Sequence, residues 1–269
     1  MLNMLKVVMV SITALSLWSG VSSAQESVLD AVKKRGTLIA GVKNDYPPAG
    51  YLDSKGEWVG FDVDMAKYIA KKLGVKLQME AVTSRTRIPM LVNNNVDLII
   101  NINPTRERAQ AIDFTAPYFL AGTTILVRKD SGIRGIEDLL PPRKVGGVQG
   151  SADGPGLLVQ VPKADIQYFQ EFPQVFLALK QKRVDAMLTA SVTLGQMSKG
   201  DPDLMVVMPP FKPDPWAIGV RHNDSKWRLA IEEAIMDAWQ DGTIARLHQE
   251  HIGTPVNFTV PVWPDYYAK

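Results

Sequence analysis

A chain of 269 residues, 46% of them apolar, can bury one large core or two smaller ones. Thirty basic residues against 28 acidic ones leave a net charge of +2 with no lysine or arginine cluster, which argues against nucleic acid or a membrane surface as partner. There is no cysteine, so no disulfide framework and no site for a thiol-linked lipid.

At the amino end Lys6 precedes an apolar run, Val7 to Leu17, and Val21-Ser22-Ser23-Ala24 supplies the small residues a signal peptidase requires. The run is too short to span a bilayer. The expectation is cleavage after Ala24 and export to a bacterial periplasm without a lipid anchor. The mature chain then opens with a short helix, Val28 to Arg35, and a strand, Thr37 to Val42, broken by Lys43-Asn44-Asp45-Tyr46-Pro47-Pro48. From Phe61 to Leu73, Met65, Ile69 and Leu73 stack at i, i+4 and i+8, with Gly74 placed to end the helix. A strand over Val75 to Ala81, a polar segment from Thr83 to Arg87 and a helix over Ile88 to Asn94 complete a βαβ rhythm, which predicts a mostly parallel sheet flanked by helices.

The chain is organised around the stretch Val96 to Arg108. Val96 to Ile102 has the composition of a strand buried on both faces. It ends in Asn101, Asn103 and Pro104, and Thr105 is placed to cap a helix beginning near Arg106. Ligands gather at such strand ends, and Arg108 could grip a carboxylate or phosphate there with two prongs. It could equally pair with Glu107 or Asp113.

The second half repeats this device. Leu91 to Asn101 has a counterpart in Leu179 to Thr189: a helix ends in a polar cluster, then Val-Asp starts an apolar strand. The repeat predicts two lobes of similar build. The second holds strands over Lys144 to Val148 and Ile166 to Phe169, a tight loop from Gly150 to Gly154 leading into a helix, and a helix over Pro173 to Lys182. A proline-rich stretch, Pro209 to Pro215, precedes a strand over Trp216 to Val220, and helices come next over Ser225 to Asp241 and Thr243 to His251.

Catalytic and metal signatures are weak. His248 and His251 are spaced i, i+3 without an evident third ligand and read as solvated, so neither a metal nor a cofactor is expected. Ser151 lacks the first glycine of a nucleophile elbow, and Gly146, Gly147 and Gly150 lack phosphate-loop spacing. Asp62 and Asp64 open a helix, where capping and dipole effects explain them.

Tyr46-Pro47-Pro48, Val59-Gly60-Phe61-Asp62-Val63-Asp64, Arg87-Ile88-Pro89, Val96-Asp97-Leu98-Ile99, Glu107-Arg108, Asp113-Phe114-Thr115-Ala116-Pro117-Tyr118, Val148-Gln149-Gly150-Ser151 and Asp241-Gly242-Thr243 occur in the order and spacing of one family. The chain resembles the periplasmic solute-binding proteins of polar amino-acid ABC transporters over essentially its whole mature length. The resemblance implies a two-lobed α/β fold of the Venus flytrap type, each lobe a mostly parallel sheet flanked by helices, joined by two hinge strands. Lobe 1 would comprise residues 25–120 and 216–269, and lobe 2 residues 121–215. It further implies a monomer that takes a small-molecule ligand between its lobes and docks, closed, on an inner-membrane ABC permease.

Carried over residue by residue, Arg108 matches the arginine that holds the ligand α-carboxylate, with Asn101 and Asn103 beside it and Tyr46 at the cleft. Ser151 matches a threonine that closes on the same carboxylate. Lys43 matches a position that is an arginine in glutamate and aspartate binders, and Arg87 also resembles that branch; the expected ligand is an anionic amino acid or related carboxylate. Lys43 could instead turn outward, and Arg85 reads as solvated. The departure is Ala190, where the family places the aspartate that receives the ligand ammonium. Leaving a buried charge unmatched costs about 3 to 5 kcal/mol, so either Ser191 or Asp153 takes that role or the ligand has no α-amino group. Phe172 adds an apolar wall. The alternatives are a carrier of a non-amino organic acid and an exported dehydratase on the same fold, which would need a buried general acid.

Overall fold

The structure, a computed structural model, describes residues 26–259; the expected signal segment lies outside them. Helix α1 (Val28–Arg35) leads into β1 (Thr37–Val42), and a small antiparallel sheet is built from β2 (Asp45–Tyr46), β3 (Gly50–Leu52) and β4 (Trp58–Val59). Next come α2 (Phe61–Leu73), β5 (Lys76–Ala81), α3 (Arg87–Val92) and β6 (Leu98–Ile102). Strand β7 (Asp113–Phe114) is short and β8 (Phe119–Arg128) long. Beyond it are β9 (Lys144–Val148), α4 (Asp153–Gln160), β10 (Asp165–Phe169), α5 (Phe172–Lys180), β11 (Ala186–Ala190), α6 (Ser191–Met197) and β12 (Leu204–Val206). Strand β13 (Lys212–Val220), α7 (Ser225–Gln240) and α8 (Thr243–Ile252) are the last elements among the described residues.

Two parallel cores share one continuous sheet of order β10-β9-β11-β8-β13-β6-β1-β5. In the first lobe β1 pairs in parallel with β5 and β6; in the second β9 pairs in parallel with β10 and β11. Along this order the antiparallel strands are β8 and β13, which pair with each other from Phe119 with Trp216 to Thr123 with Lys212, while the short β12 and β7 add antiparallel pairs to β8 and β13. Both run from one lobe into the other. Met65, Ile69 and Leu73 are buried, as the 3.6-residue period requires, and Gly74 ends α2 at φ +67°. Among the described residues no helix is long and apolar enough to cross a membrane.

The Val-Asp repeat has a physical meaning. Asp97 receives the Ile39 N–H on its carboxylate at 2.7 Å and returns its own N–H to the Ile39 carbonyl at 2.8 Å. Asp185 does the same to Lys144, at 2.8 and 2.7 Å. In each lobe one aspartate fixes the register of a parallel strand pair.

Three expectations are corrected. The helix expected from Arg106 is one 3-10 turn, Arg108–Gln110, although Thr105 Oγ1 does accept the Arg108 N–H at 3.2 Å; the chain must enter β7 at Asp113, which leaves no room for a longer helix. The strand expected from Trp216 begins earlier, at Lys212, within the proline-rich stretch: Lys212 to Pro215 lies at the edge of the second lobe's sheet and pairs only with β8, so Pro213 and Pro215 cost no ladder bond on their free side. His248 is not solvated. It is 3% exposed, bonds through Nδ1 to the Thr254 carbonyl at 2.6 Å and stacks at 5.4 Å on Phe119, because Ile244, Leu247 and His248 share the inward face of α8.

Candidate functional site

The facing ends of the two lobes meet at a cleft of about 870 Å³ that Arg108, Asn103 and Ser84 line from one side and Gly150, Ser151 and Pro155 from the other. Apart from the residues that line this cleft, the lobes also meet where β1 stops. Lys43 is 6% exposed, its ammonium 4.0 Å above the Tyr46 ring and 5.5 Å from that of Phe172. Burial, reinforced by the Arg87 charge, brings its pKa down to about 7.

Arg87 opens α3 and is 1% exposed; its Nη1 donates to the Asn101 carbonyl at 2.6 Å, while Nε has no partner among the described residues. Burial and the neighbouring Arg108 push its pKa down to about 9. Asn101 offers that carbonyl because its backbone is left-handed, φ +62°. Its side-chain amide donates at 2.8 Å to Asp62, which also accepts from the Tyr118 hydroxyl at 2.6 Å. Asp62 is thus a buried hydrogen-bond centre, 1% exposed, rather than a helix cap.

Arg108 bridges the lobes. Its Nη1 donates to the Asn103 carbonyl and its Nη2 to the Gly150 carbonyl, both at 2.9 Å. Neither Glu107 nor Asp113 pairs with it; Asp113 holds His222 at 2.8 Å instead. Burial lowers the guanidinium pKa while Asp153 and Asp214 oppose that. Ser151 Oγ accepts the Asp153 N–H at 3.3 Å, two residues ahead of the α4 axis.

The lobes also touch directly. The Tyr46 and Thr189 hydroxyls share a hydrogen bond of 3.0 Å, the Phe172 N–H donates to Asp45 at 3.2 Å, and the Tyr46 and Phe172 rings lie 4.6 Å apart. Ala190 is fully buried just past Thr189, and Ser191, half-buried, opens α6. The structure therefore brings Lys43, Tyr46, Arg87, Asn101, Asn103, Arg108, Ser151, Asp153 and Phe172 to one region, while Ala190 and Ser191 supply no charge to it. Arg85 is exposed.

Sequence reading missed Asp214, 3% exposed on β13. It accepts from Trp216 Nε1 at 2.9 Å and from the Asn103 side-chain amide, and burial together with Asp153 raises its pKa to about 6. Its signal was an acid between two prolines, just ahead of the strand expected from Trp216. The other unforeseen grouping lies away from the cleft. Asp64, Glu250 and His251 bring ligand-type atoms within 4.8 Å of one another, but the His251 bond and the Lys67 ion pair to Asp64, each 2.8 Å, account for it.

Two α/β lobes crossed by paired strands, with a gripping arginine between them, define a two-lobed binding protein. Residues 38–254 match the family described as bacterial extracellular solute-binding proteins, family 3, and the chain belongs to that family. A glutamine-binding protein of Geobacillus stearothermophilus is 38% identical over 203 residues, 74% of this chain and 78% of that one. An L-cystine-binding protein of Escherichia coli is 28% identical over 254 residues, 92% of this chain and 96% of its own. Among solved structures, an ancestral amino acid-binding protein described as a precursor of cyclohexadienyl dehydratase has a TM-score of 0.78 and 33% identity, over 84% of this chain and all of that one.

Proposed function

We propose that this protein is the exported solute-binding component of an ABC importer, holding a polar amino acid or related carboxylate between its lobes and presenting it to an inner-membrane permease. The observation that carries this is Arg108, a buried guanidinium on the first lobe that reaches the second at Gly150 and has no carboxylate partner among the described residues. A ligand carboxylate would satisfy it with two charge-assisted bonds. Its contacts to both lobes would draw the molecule toward closure by its differential affinity for the closed state. The export signal ahead of Gln25, the lobe limits at residues 120 and 216 and a monomeric state belong to the same proposal.

The cargo need not be anionic. Lys43, Arg87 and Arg108 supply three cations, but Asp153 and Asp214 face the same region, and the relatives take glutamine as well as cystine. A thermal-shift panel, confirmed by calorimetry, would compare glutamate, aspartate, glutamine and cystine with glutarate and 2-oxoglutarate. Ligand at a hundred times its dissociation constant should stabilise the protein by about 2.7 kcal/mol. No shift with any carboxylate would end this reading.

A second reading is an exported dehydratase, and Asp214 is the observation that favours it: a buried carboxyl raised to about 6 has the character of a general acid. Incubating the protein with a cyclohexadienyl carboxylate and following the ultraviolet band of an aromatic product tests it.

A further inference from the structure

We infer that Asp214 on the crossing strand β13, together with Asp153 at the start of α4, is the seat of the ligand's α-ammonium in this chain. The inference rests on the amino-acid reading above and adds to it that the cargo carries a free α-amino group.

Two sets of incompletely paired charges lie between the lobes, of which Arg108 lines the cleft and the others are buried behind it. In one, among the described residues, the Arg108 guanidinium bonds only to the carbonyls of Asn103 and Gly150, and Arg87 Nε, almost wholly buried, has no partner. In the other stand two buried carboxylates. Asp153, 6% exposed, has the Thr123 hydroxyl at a long 3.4 Å and Lys212 at 4.0 Å, the limit of an ion pair. Asp214 accepts from Trp216 and Asn103, both neutral donors. A carboxylate has roughly four acceptor sites, so Asp214 retains capacity for a cation. Burial first and Asp153 second raise Asp214, and Asn103 links it to Arg108, giving its side-chain amide to Asp214 and its carbonyl to the guanidinium.

Burying like charges together is costly unless a cation lies between them. A zwitterion with its carboxylate on Arg108 would put an ammonium next to its own α-carbon, on the side where these acids stand. The position also explains how Ala190 is tolerated. With β11 contributing an apolar methyl beside Thr189, the negative charge comes from the loop into α4 and from β13. Because β13 passes between the lobes, an ammonium on Asp214 would touch the strand about which they move.

Calorimetry on the purified exported protein tests this, using the twenty standard L-amino acids and L-cystine, then the deaminated acid corresponding to each binder. In the wild-type protein an amino acid should bind about a hundredfold more tightly than its deaminated counterpart. Asp214→Asn, which keeps an acceptor for Trp216, and Asp153→Asn should each weaken the amino acid by about tenfold or more and leave the deaminated acid within about threefold. Circular dichroism confirms that each variant is folded, and Asp153→Asn, which has fewer structural bonds to lose, serves if Asp214→Asn does not fold. If both folded variants keep the full preference, the ammonium sits elsewhere and the inference fails while the amino-acid reading stands. If no amino acid binds the wild-type protein, the amino-acid reading fails and the inference with it.

Discussion

Gly150 and Ser84 face each other across the cleft so closely that a β-carbon on Gly150 would lie 2.8 Å from the Ser84 carbonyl oxygen and 2.9 Å from the Arg85 α-carbon. Those atoms belong to backbone, which cannot swing aside. Gly150→Ala should therefore hold the lobes apart. Its φ of +79° adds about 1 to 2 kcal/mol of strain in open and closed forms alike, whereas the collision exists only on closure. Affinity should fall well beyond what the loss in melting temperature explains, and small-angle scattering with saturating ligand should record a larger radius than wild type. A wild-type radius would mean that the lobes close without this contact.

Arg108→Ala should abolish carboxylate binding, since the guanidinium has no replacement on its turn, and Arg108→Lys should recover only part of it because an ammonium cannot make the two-pronged contact. Loss of the Gly150 bond also removes one tie between the lobes. Calorimetry with unchanged affinity in Arg108→Ala would remove this residue from the site.

Tyr46→Phe deletes one hydroxyl from the Tyr46–Thr189 bond and leaves the ring against Phe172. A net hydrogen bond is worth about 0.5 to 1.5 kcal/mol, so affinity should drop by up to about tenfold. The change should appear as faster dissociation in stopped-flow traces, because the bond joins lobes that must separate for release.

Stability should respond to pH through two groups of opposite sign. Asp214, raised to about 6, binds its proton in the folded protein where the unfolded chain has released it, so its contribution falls as pH rises from about 4 to 6. Lys43, lowered to about 7, loses its proton in the folded protein first, so its contribution improves as pH rises from about 7 to 10. Melting curves of Asp214→Asn should be flatter than wild type below pH 6, and those of Lys43→Met flatter above pH 7. Parallel wild-type and variant profiles would show that neither group titrates in the cleft.

Much of this molecule is legible in its sequence where the signal is periodic or repeated. The i, i+4, i+8 spacing of Met65, Ile69 and Leu73 places α2, and the twin Val-Asp starts announce two lobes. What escapes is set by tertiary context. Asp214 sits between prolines that set the expected strand start too late, at Trp216, because the edge position that excuses them is not written locally. His248 counts as polar by type although its spacing from Ile244 and Leu247 puts it inside. The helix expected after Thr105 obeys its capping rule but is cut short by β7, a constraint that arises only once β13 lies alongside. Counting cations at Lys43 and Arg87 suggested an anion, and only the fold brings Asp214 into the same charge balance.

The paired aspartates Asp97 and Asp185 carry a consequence for the order in which the molecule assembles. Each sets the register of its own parallel strands without help from the other lobe, and the strands β9, β10 and β11 come from one uninterrupted stretch of chain. The strands around Asp97 also come from one stretch, but their lobe is completed only by the far half of β13 and the helices after it. As the chain folds, the half that comes later in the sequence can thus be the first to finish. Pulsed hydrogen exchange should find the Lys144 amide protected before the edge that β6 offers to β13.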